Sequence, residues 1–224
     1  VTEKAEDIEA CRKMTFDAGE EPIGGTSWWL DPICLGRYPD TTGYSYGAYI
    51  PDTTAEDMKI ISQPIDFIGM NVYQTYRGKA GENGTCITIP NDPGYARTNA
   101  EWSVTPEALY WGPKFYEERY HKKLYITENG LSNQDWIFLD GQVHDLQRID
   151  FLHRYLYQLK RAVEEGISVE GYFHWTLTDN FEWTSGYNNR FGLVYTDFKN
   201  QNRIIKDSGK WYRQVIETNG EIIK

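Results

Sequence analysis

The 224-residue sequence is poor in cysteine, poor in cations relative to anions, and free of long apolar runs. Cys11, Cys34 and Cys86 are odd in number and far apart, which provides neither a disulfide framework nor a CxxC-type metal site and fits a reducing, cytoplasmic setting. Lys and Arg number 23 against 33 Asp and Glu, a formal net charge of −10. That sign is wrong for a nucleic-acid binder, whose affinity comes from neutralising phosphates. No stretch approaches the roughly 18–20 apolar residues of a membrane span, and the first ten residues, from Val1, carry no signal-peptide pattern. Neither GxGxxG nor GxxxxGK[ST] follows any candidate strand, and there is no internal repeat. The four histidines, His121, His144, His153 and His174, lack ligand-like pairing, so neither a metal nor another cofactor is expected.

What is present is an excess of rings: 8 Trp, 17 Tyr and 9 Phe. Most should be core, but flat rings carrying one polar atom also line sites for sugars and other planar ligands. Three short, nearly continuous apolar runs, over residues 65–73, 123–128 and 169–175, read as buried parallel strands. Helical patterns separate them. One follows Thr105-Pro106-Glu107 to about Tyr120, with Gly112-Pro113 expected to interrupt it. Another spans residues 145–165, its apolar positions Leu146, Ile149, Leu152, Leu156, Leu159 and Val163 recurring every three or four residues up to Gly166. A helical stretch over 5–16 opens the chain, one over 208–218 closes it, and 191–198 with 203–206 reads as a hairpin. The Gly- and Pro-rich segments 19–46 and 78–94 read as long loops. A βα alternation with polar residues at strand ends predicts an α/β fold, either a barrel or a doubly wound sheet.

Two of the strands end in chemistry. The second closes as Ile126-Thr127-Glu128-Asn129-Gly130. A carboxylate there is either a buried, salt-bridged structural group or, in a barrel, a side chain aimed into the site at the strand C-termini, placed to attack an anomeric carbon. The third leads into His174-Trp175-Thr176-Leu177-Thr178-Asp179-Asn180-Phe181-Glu182-Trp183. Glu182 between Trp175 and Trp183 suits a sugar, the carboxylate accepting from hydroxyls and the rings covering apolar sugar faces.

These blocks resemble glycoside hydrolase family one, the retaining β-glucosidases and their relatives. The resemblance is carried by Trp29-Leu30-Asp31-Pro32 with Gly36-Arg37-Tyr38-Pro39, by Asp66-Phe67-Ile68-Gly69-Met70-Asn71-Val72-Tyr73, by the block around Glu128, and by residues 171–198, in the family's order. It implies a (β/α)8 barrel of which the single domain 1–224 holds strands six to eight and lacks strands one to five. It implies Glu128 as the nucleophile, Tyr73 as the group orienting it, and Asn71, Trp175, Glu182, Trp183 and Phe191 as sugar-binding residues. Val72 stands where the family usually has Tyr; it alternates away from Asn71 and Tyr73, so the departure should alter packing rather than the site. Relatives acting on 6-phosphorylated glycosides place Ser, Lys and Tyr around the loop that here carries Glu182-Trp183, so the resemblance implies a neutral β-glucoside as substrate.

A second carboxylate is missing. Retaining glycosidases pair a nucleophile with an acid/base about 5 Å away, and in the family the latter sits in an Asn-Glu-Pro block that this sequence does not contain. Glu21-Pro22 follows a helical stretch rather than ending a strand and reads as a surface turn. The 224-residue chain alone should therefore be inactive or nearly so. Three strands cannot close a barrel, so pairing of the open edges, with an N-terminal complementing fragment or with copies of the chain itself, is expected. Two other readings share the same residues: a non-catalytic carbohydrate-binding or interaction module that kept the sugar cluster, and a myrosinase-type relative with Gln at the acid/base position.

Overall fold

The computed structural model describes residues 3–17, 25–40, 50 and 52–224. In chain order the elements are α1 (Ala5–Phe16), α2 (Thr26–Leu35), α3 (Ala55–Ile61), β1 (Phe67–Asn71), β2 (Arg77–Ala80), β3 (Cys86–Ile89), α4 (Ala108–Tyr120), β4 (Lys123–Asn129), α5 (Leu146–Glu164), β5 (Val169–His174), β6 (Val194–Thr196), β7 (Arg203–Ile205) and α6 (Asp207–Glu217). They fall into two compact units, Val1–Asp66 with Tyr76–Asn91, and Phe67–Thr75 with Asp92–Lys224.

The first unit holds α1, α2, α3 and the antiparallel hairpin β2–β3. A capping box starts α3: Thr54 Oγ1 accepts from the Asp57 backbone N–H at 3.1 Å, and Asp57 Oδ2 accepts from that of Thr54 at 2.9 Å. Helix α1 is tied to β2 by buried Asp7, whose Oδ1 accepts from the Ala80 N–H at 2.7 Å. Two segments predicted to be loops are partly regular here. α2 forms within 19–46 and carries Pro32 in its interior, and the β2–β3 hairpin, starting at Arg77, occupies the first part of 78–94. The Glu21-Pro22 turn lies outside the described residues.

In the second unit β1, β4 and β5 form a parallel sheet in the order β1-β4-β5. Burial alternates along β1: Ile68 and Met70 are buried while Phe67, Gly69 and Asn71 are exposed. Leu124 and Ile126 of β4 continue the buried face, and α4 lies against it, with Gly112 approaching the Met70 methyl. Helix α5 buries Phe151, Leu152, Tyr155, Leu156, Leu159 and Ala162, the stripe of an amphipathic helix. On the opposite face of the sheet Phe67 is 49% and Phe173 58% exposed among the described residues, and Phe67 meets Tyr125 edge-on at a 4.7 Å centroid separation. Among the described residues β1 and β5 are the sheet's edges. The expected interruption of α4 at Gly112-Pro113 does not occur. Pro113 is buried inside a continuous helix, where packing outweighs one lost backbone bond.

Candidate active site

The parallel register brings the C-terminal ends of β1, β4 and β5 side by side, and irregularities sharpen the placement. Met70 pairs with Ile126 but Asn71 with Glu128, so β4 carries one extra residue at Thr127. Beyond β1, Tyr73 donates from its hydroxyl to Glu128 Oε2 at 2.8 Å. Burial, then Glu128 itself, pushes the Tyr73 phenol far above its ordinary value, so it remains a donor. Asn71 is engaged by Thr127, whose Oγ1 donates to Asn71 Oδ1 at 2.7 Å.

After β5 the chain turns through Trp175, whose Nε1 donates to Glu182 Oε1 at 3.1 Å. Burial raises the Glu182 carboxyl above its ordinary value; the Trp175 hydrogen bond opposes that shift, and the Glu128 charge adds to it. The two carboxylates therefore belong to one electrostatic site. Phe191 is buried, its ring 6.2 Å from that of Tyr73 in an edge-on arrangement. Trp183 is 81% exposed in a short turn and stands apart from that ring wall. Five of the seven residues predicted from sequence, Tyr73, Glu128, Trp175, Glu182 and Phe191, thus have a partner within the set, Asn71 is held by Thr127 at the end of β1, and Trp183 is exposed.

Several residues with a bearing on the site were not singled out from sequence. Trp102 packs its ring 4.9 Å from Tyr73 and 6.0 Å from Phe191, completing a three-ring wall. Its local sequence has no periodicity, and only the resemblance of the flanking blocks hints at it. Asn129 was visible as part of the Thr-Glu-Asn-Gly block but carried no assigned role. Fully buried, it joins all three strands: Nδ2 donates to the Val72 carbonyl at 2.8 Å, Oδ1 accepts from Tyr172 at 2.8 Å, and its carbonyl accepts from the Trp175 N–H at 2.9 Å. Tyr155 on α5 holds the next carbonyl, donating to Tyr73 O at 3.0 Å. Gly130 is required where β4 passes β5, since a Cβ there would lie 1.9 Å from the Trp175 carbonyl oxygen. Asn129→Ala should cost about 1–3 kcal/mol by stranding the Val72 carbonyl and the Tyr172 hydroxyl, measurable as a lowered midpoint in urea; an unchanged midpoint would remove Asn129 from this role.

A buried ionic cluster fixes the loops behind the site. Lys206 Nζ reaches Asp135 Oδ2 at 2.5 Å and Asp179 Oδ1 at 2.8 Å, and Arg148 binds Asp145 and, at 2.8 Å, Asp135. Arg190 pairs with Asp179 at 2.6 Å, and Asp179 Oδ1 also accepts from the Gly192 N–H at 2.9 Å. Three cations face three carboxylates, so the charges balance. The cluster links the loop after β4, the loop after β5 and the start of α6. His174 beside it is held neutral, its pKa driven down to about 3 by burial, and donates from Nε2 to the Phe191 carbonyl at 3.1 Å.

The sequence profile of glycosyl hydrolase family 1 matches residues 3–221, and the chain belongs to that family. The 1,4-beta-D-glucan glucohydrolase of Thermotoga neapolitana is 40% identical over 220 residues, 98% of this chain and 48% of the relative. Beta-glucosidase A of Thermotoga maritima is 39% identical, with the same coverage of both chains. The structure of Thermotoga maritima beta-glucosidase in complex with castanospermine superposes with a TM-score of 0.81 at 38% identity, over 98% of this chain and 48% of that one. The chain spans about half the length of the relatives it matches. Among the described residues no helix is long and apolar enough to cross a membrane.

Proposed function

We propose that this chain is the C-terminal part of a retaining β-glycosidase, strands six to eight of a (β/α)8 barrel, with β1, β4 and β5 in those places. Glu128 is the nucleophile, Tyr73 orients it, and Asn71, Trp175, Glu182, Trp183 and Phe191 contact a β-glucoside. The observation that carries this reading is the hydrogen bond from Tyr73 to Glu128 at the C-terminal ends of adjacent parallel strands, where a barrel gathers its chemistry.

In the first displacement a Glu128 oxygen bonds to the anomeric carbon as the bond to the aglycone oxygen breaks. The departing oxygen takes a proton from an acid that these 224 residues do not supply. Water then displaces Glu128, its oxygen bonding to the anomeric carbon as the bond to Glu128 breaks and its proton passing to the conjugate base of that same acid. Tyr73 fixes one carboxylate oxygen, leaving the other to attack. The isolated chain therefore holds a nucleophile and half a sugar site, without turnover. The sheet face that exposes Phe67 and Phe173 and the edges at β1 and β5 fit pairing with a complementing N-terminal fragment, or failing that with a second copy. A clean monomer at high concentration in sedimentation would argue against edge pairing. Trapping with a 2-deoxy-2-fluoro glucoside bearing an activated leaving group tests the assignment of Glu128, because such a leaving group needs no acid; absence of an adduct would favour the binding-module reading.

Glu182 gives a pH signature. Its ionised carboxylate accepts from sugar hydroxyls, and burial raises its pKa above the ordinary 4.5. Affinity for a neutral thio-β-glucoside should be constant well above that raised value and fall about tenfold as pH drops through it, the difference between a charged and a neutral acceptor. Calorimetric titration of wild type and Glu182→Gln checks this. The variant should bind weakly with a flat profile, and a flat wild-type profile would contradict the role.

A further inference from the structure

Cys11 and Cys86 are 75 positions apart in sequence, yet their Sγ atoms approach to 3.6 Å in the first unit. The approach is built into the packing of α1 on the β2–β3 hairpin. Asp7, one turn before Cys11 on the same helix face, is buried and holds the Ala80 N–H at 2.7 Å, and Ala80 pairs directly with Cys86. Gly78 leaves the space the sulfurs occupy: a Cβ there would come within 2.7 Å of both Sγ atoms. Both residues are free thiols.

We infer that Cys11 and Cys86 form an oxidisable dithiol, a modification site at which a peroxide closes a disulfide that staples α1 to the β2–β3 hairpin. One sulfur attacks a peroxide oxygen, the O–O bond breaks, and a sulfenic acid forms with release of water. The second sulfur attacks the sulfenic sulfur, forming the S–S bond, and hydroxide leaves with the second thiol proton as a second water. Two thiols and one peroxide give one disulfide and two waters, two electrons passing to the peroxide. In the reduced state burial and the neighbouring Cys86 hold the Cys11 thiol up at about 11, so Cys11 rests protonated until it is oxidised. The link would enclose residues 12–85, including Asn71 and Tyr73, in one covalent loop. It is independent of the glycosidase assignment.

The test is treatment of the full chain with hydrogen peroxide, followed by a non-reducing peptide map and thermal melting. A Cys11–Cys86 linked peptide is expected in the wild type and in Cys34→Ser, with none in Cys11→Ser or Cys86→Ser. The oxidised chain should melt about 5–10 °C higher, reversed by a thiol reductant. Links involving Cys34, links between chains, singly oxidised cysteines without a link, or a link that leaves the melting temperature unmoved would each overturn the inference. The wild-type map decides the matter even if a serine variant fails to fold.

Discussion

Glu128→Gln should abolish covalent labelling of this chain by a 2-deoxy-2-fluoro-β-glucoside with a dinitrophenyl leaving group, whereas the wild type is expected to take up one sugar per chain on Glu128 if the proposed assignment holds. General-acid assistance is worth about 10²–10⁴ in rate, and a dinitrophenolate leaves without it, so the missing acid/base does not block this step. Under the proposed assignment Glu128 is the nucleophile, and Glu182 does not replace it. Glu182 accepts from Trp175, whereas Tyr73 donates to Glu128, and an amide at 128 keeps the shape of the side chain while removing its nucleophilicity. Intact-mass and peptide mass spectrometry read the result. An adduct at another residue, or an equal adduct in the Gln variant, would remove Glu128 from its role.

The second large effect is on stability. Lys206→Met should destabilise the chain by about 3–5 kcal/mol, because removal of one partner leaves buried carboxylates underpaired. Lys206 is fully buried, and it pairs with both Asp135 and Asp179 in a cluster whose charges cancel only while it is present. On the acid side, burial would raise the Asp135 carboxyl, but Arg148 and Lys206 outweigh it and hold its pKa below 3.8. The stability this provides is present above the ordinary carboxylate value and is lost as pH falls through the lowered one. Urea unfolding of wild type and variant at neutral pH measures the difference; a loss under 1 kcal/mol would mean the cluster is not the anchor of the loops after β4 and β5.

The three parallel strands were legible because buried strands between helices read as short unbroken apolar runs, and Glu128 because a carboxylate closing such a run needs a reason. Tyr73 came only from the family resemblance, which implies a tyrosine beside the nucleophile. α2 was not legible: Trp28-Trp29-Leu30 gives no helical period and Pro32 argues against a helix, so packing rather than propensity decides it. The interruption expected at Pro113 failed for the same reason. The β2–β3 hairpin was hidden by its glycines, which read as loop, although Gly78 makes room for the Cys11 side chain of α1. Pairings such as Trp102 with Tyr73, Lys206 with Asp135, and Cys11 with Cys86 join distant positions whose proximity exists only in the fold.

The central claim is that these 224 residues hold a glycosidase nucleophile without its acid/base. Steady-state hydrolysis of an aryl β-glucoside by the purified chain tests it most directly. The predicted result is a rate at background, unchanged by Glu128→Gln. Robust turnover by the isolated chain, abolished by Glu128→Gln, would contradict it, because a complete catalytic pair would then lie within this sequence.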